Sequence, residues 1–267
     1  MPAMNRTVVV TGASSGIGYA IASHLAAAGW TVVGLSRTLP KKPYAFDYVT
    51  ADLTREDDVL HAVKDGILVK HPRIDALVNC AGMGISGAIE ETLLADAKRQ
   101  FDVNLFGAFA ITKALLPALR ASQGRIVNVS SVAAELAIPF QAFYSMSKAA
   151  LNAFNDTLRL ELRPLGVQVA AVLPGDTATG FTDSREKRAG STGVYDARIA
   201  RSVAKMETDE RHGMPPEAVA RVVGRVLDRR RMPPQVAVGF QYKLFLFLKR
   251  ILPKRLVEAV VYGMYGK

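Results

Sequence analysis

The chain alternates short apolar runs with stretches whose apolar positions recur every three or four residues. Runs of the first kind predict strands and the second kind helices. Thr7–Val10 reads as a strand, and Ile17–Ala28 as a helix stopped at Gly29. Thr31–Leu35 and Tyr44–Val49 are the next two predicted strands. Thr54 is a candidate N-cap for a helix reaching about Lys70, because acidic residues fill its first turn. Strands follow at Ile74–Asn79, Arg125–Val129, Val167–Leu173 and Gln235–Val238, with helical material over Ala88–Leu119 and Ala142–Arg163.

Strands that are apolar on both faces and separated by helices predict a parallel sheet covered on both sides. The expected fold is therefore α/β, a doubly wound Rossmann sheet. A single domain is expected over residues 1–240, followed by a basic, apolar helical extension over 241–267. One stretch breaks the rhythm. Thr177–Pro216 is rich in charge, Gly and Pro, and is expected to pass over the site as a partly helical substrate lid.

Composition narrows the setting. With 267 residues, 49% of them hydrophobic, one domain can bury a proper core. The lone cysteine, Cys80, permits no intramolecular disulfide and suits a reducing compartment, so a cytoplasmic location is expected, with peripheral membrane attachment as the alternative. The valines before Thr11 are too few for a signal-peptide core. No run reaches about 18 uninterrupted apolar residues, so no spanning helix is expected. The net charge of +10 is unevenly placed: residues 1–184 carry 16 Lys/Arg against 16 Asp/Glu, and residues 185–267 carry 18 against 8. No nucleic-acid-binding motif accompanies this basic excess, and nucleic acid is not an expected partner. His24, His61, His71 and His212 show no metal-ligand spacing, and no metal is expected.

The first predicted strand runs directly into TGASSGIG, Thr11 to Gly18. Glycines at a strand-to-helix turn let backbone approach a pyrophosphate, and the helix N-terminus offers unpaired N–H groups to it. Gly12, Ser14, Ser15, Gly16, Ile17 and Gly18 are the cofactor candidates here. After the second strand an acidic residue would take both ribose hydroxyls of NAD(H). This chain has Leu35-Ser36-Arg37 instead, with Lys41 and Lys42 close behind. A guanidinium pairs with a 2′-phosphate, so NADP(H) is predicted as the preferred cofactor, with NAD(H) as the alternative. Asp52 is placed to meet the adenine edge or to cap the following helix. Asn79, Ala81 and Gly82 follow the fourth strand beside the cofactor.

The chemistry is carried further along. Tyr144 and Lys148 lie one helical turn apart, and an ammonium beside a phenol favours phenolate. Ser131 ends the run Arg125–Val129, where ligands of parallel sheets gather, although Ser130 competes for the same role.

Taken in order, these motifs resemble the short-chain dehydrogenase/reductase family, most like its hydroxysteroid- and retinol-dehydrogenase-type members. TGASSGIG is similar to the family's TGxxxGxG, NCAG to its NNAG, Asn104–Gly107 to its NxxG and Tyr144–Lys148 to its YxxxK. The resemblance implies a site of Asn104, Ser131, Tyr144 and Lys148. Tyr144 exchanges the proton, Ser131 polarises a carbonyl, Lys148 lowers the tyrosine pKa and holds the nicotinamide ribose, and Asn104 helps hold a water. Pro174, Gly175, Thr177 and Thr179 fall at the segment that meets the nicotinamide. The implied reaction interconverts an alcohol and a ketone or aldehyde. Cys80 departs from the usual asparagine, and a thiol is a weak donor.

The residues expected to face the substrate, Met83, Ile85, Ala134, Leu136, Ile138, Phe140 and Phe143, are mostly apolar, so a small lipophilic substrate such as a steroid, retinoid or other lipid is expected. The tail after Gln241 mixes bulky apolar residues with Lys243, Lys249, Arg250, Lys254 and Arg255. Pro253 should divide it into two helices that cover the pocket, join a partner subunit or lie on a membrane. Relatives pair through the two long helices around Asn104–Leu119 and Ala142–Arg163, which implies a homodimer or homotetramer. The rival readings are a 3-oxoacyl-thioester reductase and a non-catalytic, cofactor-sensing relative.

Overall fold

The computed structural model describes residues 6–187 and 192–267; the predicted 177–216 lid therefore includes four positions outside the described residues. Seven parallel strands form the central sheet. They are β1 (Thr7–Thr11), β2 (Thr31–Ser36), β3 (Asp47–Thr50), β4 (Ala76–Asn79), β6 (Arg125–Val129), β7 (Gln168–Leu173) and β9 (Gln235–Ala237), in the spatial order β3-β2-β1-β4-β6-β7-β9. The chain order reverses between β1 and β4, which opens a crevice at their carboxyl ends.

Alternation along each strand divides the core. Val8 and Val10 face α1 (Gly16–Ala27) and α8 (Pro216–Asp228), packing with Ile21, Leu25, Val219 and Val223. Val9 faces the other way, toward α2 (Glu56–His61), α4 (Gly107–Ser122) and α5 (Ala142–Leu162), among Ile111, Leu115, Leu119 and Leu158. Every β1 residue is buried, the pattern that produced its unbroken apolar run.

Several expectations need correction. Thr54 does not cap α2: Arg55 stands at that position, and Thr54 instead gives its N–H and hydroxyl to Asp52 Oδ1 at 3.0 and 2.8 Å. The predicted third strand starts late, because Tyr44 and Phe46 stack into an aromatic cluster with Tyr48 rather than pairing with β2. A helix runs from Leu94 to Ser122 as α3 (Leu94–Phe101), a wider π turn over Asp102–Phe106, and α4. By length and composition this helix is apolar enough to cross a membrane. Charged residues such as Lys113 and Arg120 keep it from being an uninterrupted apolar run. Here its Ile111, Leu115 and Leu119 are buried against the sheet, as a core helix requires.

Two short strands went unpredicted. β5 (Ile85–Ser86) pairs in parallel with β8 (Glu186–Lys187), just beyond α6 (Phe181–Ser184). The chain then forms α7 (Asp196–Arg211), and after β9 the tail folds into α9 (Phe240–Ile251) and α10 (Lys254–Tyr265), which meet at Pro253.

Candidate active site

At the carboxyl end of β1 the chain must turn sharply and leave room. Gly12 has φ +68°, and a Cβ on it would stand 2.9 Å from Ala81 Cα. A Cβ on Gly18 would meet the Gly12 carbonyl oxygen at 2.3 Å, so neither position admits a side chain. Thr11 Oγ1 locks the turn to β4 by accepting the N–H groups of Cys80 (2.9 Å) and Ala81 (3.1 Å).

This turn borders a cavity of about 1460 Å³ at the sheet's reversal point. Gly12, Ser14, Ser15, Gly16, Ile17 and Gly18 line one end, with Arg37, Lys41 and Lys42 beyond β2 and Asp52 beyond β3. A cradle kept free of side chains, a helix N-terminus and a cationic flank fit a phosphate-bearing dinucleotide. Ala81, Gly82, Pro174, Gly175, Thr177 and Thr179 line the middle.

Ser131, Tyr144 and Lys148 meet at the centre. Both serines border the cavity just beyond β6, but Ser130 is buried and its hydroxyl is spent on the Lys148 carbonyl at 3.2 Å, whereas Ser131 is only half-buried. Ser131 Oγ accepts the Ala133 N–H at 3.1 Å, which leaves its own proton for an oxygen in the cavity. Lys148 Nζ donates to the Val129 carbonyl at 3.0 Å and sits 6.0 Å from the centre of the Tyr144 ring. Burial lowers the lysine from 10.5 to about 8.

Burial also dominates at Tyr144, pushing the phenol up to about 12 against the lowering effect of the Ser131 hydrogen bond. Glu210 raises it further and Arg185 opposes that. Desolvation sets the net direction here, upward, with Ser131 and Arg185 opposing it. Cys80 lines the same wall, where burial lifts its thiol to about 12 against the lowering effect of Lys148 and so disfavours the thiolate.

Three predicted residues stand apart from the cavity lining. Asn104, in the π turn, is buried behind Gly82; its Oδ1 accepts the Met83 N–H (2.8 Å), and its Nδ2 donates to the Met83 carbonyl and to Ser147 Oγ, each at 3.0 Å. It pins the loop after β4 to α5. Asn79 points into the core, donating to Thr112 Oγ1 (3.0 Å) and Asn128 Oδ1 (2.9 Å). Phe140, at φ +60°, packs with Ala88, Ile199, Val203 and Met206 beneath α7. Of the other expected substrate contacts only Leu136 and Ile138 line the cavity; Met83, Ile85, Ala134 and Phe143 do not.

Residues distant in sequence supply the rest of the wall. Phe181 lies 5.8 Å from Tyr144, ring to ring. Arg185, almost wholly buried, pairs with Glu210 and lies over the Phe181 ring. Tyr242, Phe245, Leu248 and Leu252 of the tail close one side, joined by Val257, Val261 and Met264. His212 also lines the cavity. The lid and tail segments are expected over the site, but the sequence alone does not show which of their side chains face inward, because only the fold sets that.

A dinucleotide-binding sheet whose crevice gathers a serine, a tyrosine and a lysine defines the class, a nicotinamide-dependent oxidoreductase. The chain belongs to the short chain dehydrogenase family, whose sequence profile matches residues 6–190. It is 35% identical to the 3-ketodihydrosphingosine reductase of Bacteroides thetaiotaomicron, over 97% of each chain. It is 34% identical to dehydrogenase/reductase SDR family member 7B of Xenopus laevis, covering 92% of this chain and 78% of that one. A short-chain dehydrogenase from Streptomyces avermitilis superposes with a TM-score of 0.82 at 29% identity, over 98% of this chain and 97% of the other.

Proposed function

We propose that this protein reduces the carbonyl of a lipophilic substrate with NADPH, using Tyr144 as the proton donor. The observation that carries the reading is the single cavity that holds a basic flank at Arg37, the Ser131–Tyr144–Lys148 centre and an apolar wall from α9 and α10. A bound nicotinamide supplies the hydride. Ser131, whose Oγ takes the Ala133 N–H, keeps its own proton to donate to the substrate oxygen and orient it. Tyr144, held protonated by burial, passes its proton to the same oxygen. Lys148, fixed on the Val129 carbonyl, places positive charge beside the resulting phenolate. Asn104 is a positioning residue that holds Met83 and α5 together.

Arg37, with Lys41 and Lys42 on the same flank, supports the preference for a 2′-phosphate. The tail's apolar contribution supports a substrate with a long hydrocarbon part, in keeping with a relative named for a 3-keto lipid. Exposed Leu94, Phe106, Phe109, Met146 and Leu160 on the two long helices support self-association there.

The test is NADPH and NADH oxidation with lipophilic ketones, using the wild type, Tyr144→Phe and Arg37→Asp. Turnover with NADPH is expected, falling at least about a thousandfold in Tyr144→Phe with dinucleotide binding retained. Arg37→Asp is expected to shift preference toward NADH. Full activity in Tyr144→Phe overturns the mechanism, and unchanged preference in Arg37→Asp overturns the cofactor assignment.

A further inference from the structure

The tail has two faces. Its inner face is anchored by the buried Tyr242 ring, by Lys249 on Glu135 at 2.7 Å and by Tyr265 on Asp209 at 3.0 Å. Its outer face is apolar and uncovered. Phe240, Leu244, Phe247 and Ile251 recur at helical spacing along one side of α9, and Phe240, Phe247 and Ile251 are 82%, 58% and 62% exposed. On α10 Leu256 is exposed as well, while Val260 and Met264 border the cavity, and the helix has no buried residue at all. Bulky apolar side chains concentrated in this way are costly against water and mark a contact surface.

The charge around the patch identifies what it meets. Residues 240–267 carry six Lys/Arg and one acidic residue, Glu258. A two-fold contact with a second copy would set this basic face against itself, which like-charge repulsion opposes. A bilayer with anionic headgroups answers both features, taking the apolar side chains at the acyl boundary and the cations at the phosphates. We propose that α9 and α10 dock the protein on an anionic lipid bilayer, with Phe240, Phe247 and Ile251 entering the interface. The same two helices line the cavity from within, so docking sets the substrate wall against the lipid. That last consequence rests on the lipophilic-substrate reading; the docking itself does not.

Vesicle co-sedimentation of the full chain tests the proposal without any turnover. The wild type is expected to pellet with phosphatidylcholine vesicles containing about 30% phosphatidylglycerol and to bind pure phosphatidylcholine at least about tenfold more weakly. About 0.5 M salt should weaken the anionic binding strongly. Phe247→Asp/Ile251→Asp, and separately Arg250→Glu/Arg255→Glu, should each reduce it at least about tenfold. None of these four side chains lines the cavity, so thermal melting and NADPH binding should match the wild type and show that the variants fold. Failure of the wild type to pellet, or equal pelleting of wild type and variants, overturns the proposal. It is overturned too if light scattering shows that the wild type self-associates through this face and Phe247→Asp/Ile251→Asp does not. Absence of ketone reduction with vesicle binding intact would count against the proposed function alone.

Discussion

The hydroxyl of Tyr242 donates to Asp176 Oδ2 at 2.6 Å and accepts the Asp176 N–H at 2.9 Å, tying the first turn of α9 to the segment after β7. The ring lies so close to Gly175 that a Cβ there would meet it at 2.1 Å. One side chain therefore fastens the tail to the strand end that borders the site. Tyr242→Phe keeps the ring and removes both hydrogen bonds, leaving a half-buried carboxylate and a backbone N–H short of partners. A loss of roughly 1–3 kcal/mol is expected in denaturant unfolding. KM for a lipophilic ketone should rise while KM for NADPH stays the same. An unchanged ketone KM would show that the tail's placement does not govern substrate binding.

Arg185 and Glu210 form an ion pair inside the cavity wall, with 1% and 15% of their side chains exposed, and one guanidinium nitrogen of Arg185 is buried with no hydrogen-bond partner among the described residues. Glu210→Gln leaves that cation uncompensated and should cost about 3–5 kcal/mol in unfolding free energy. Arg185→Met/Glu210→Gln should recover much of the loss. Because Glu210 helps raise the Tyr144 pKa, the alkaline rise of alcohol oxidation should begin at lower pH in Glu210→Gln. Additive losses in the double variant would show that the pair is not coupled in the folded state.

Lys148 offers a pH-dependent readout of its burial. Its folded pKa is about 8 and its ordinary value 10.5. Between those values the unfolded chain holds a proton that the folded one has released, so this residue makes stability rise with pH. Below about 8 both states are protonated and the cost of burying the charge is fully present. Relative to Lys148→Met, the wild type should therefore gain on the order of 3 kcal/mol between neutral pH and pH about 10. Tyr144, pushed up to about 12, works in the opposite sense only above its ordinary 10.0. Urea unfolding of both proteins across that range measures the gain, and a flat difference would show that the lysine is not held near 8.

The sheet and its helices were legible because burial on both faces writes itself into a strand as an unbroken apolar run, as in Val8–Val10. The centre of the site was legible for a different reason. Ser131 and Tyr144 sit at a strand end and in a helix whose local spacing fixes their direction. What stayed hidden depends on distant partners. Asn79 reads like a cofactor contact but pairs at register with Asn128 across β4 and β6, and hydrogen-bonds into the core. Phe140 turns away because a left-handed backbone carries it under α7. The net rise at Tyr144 was missed because a helical spacing shows the charge nearby but not the water that folding removes.

Gly12 and Met264 border the same cavity from opposite ends of the chain. During synthesis the two ends of the site therefore arise at very different times. The glycine turn and the strands that support it are made well before α9 and α10, whereas the apolar wall waits for those two helices to leave the ribosome and fold back. A growing chain therefore carries the glycine turn well before α10 can close the far wall of the cavity.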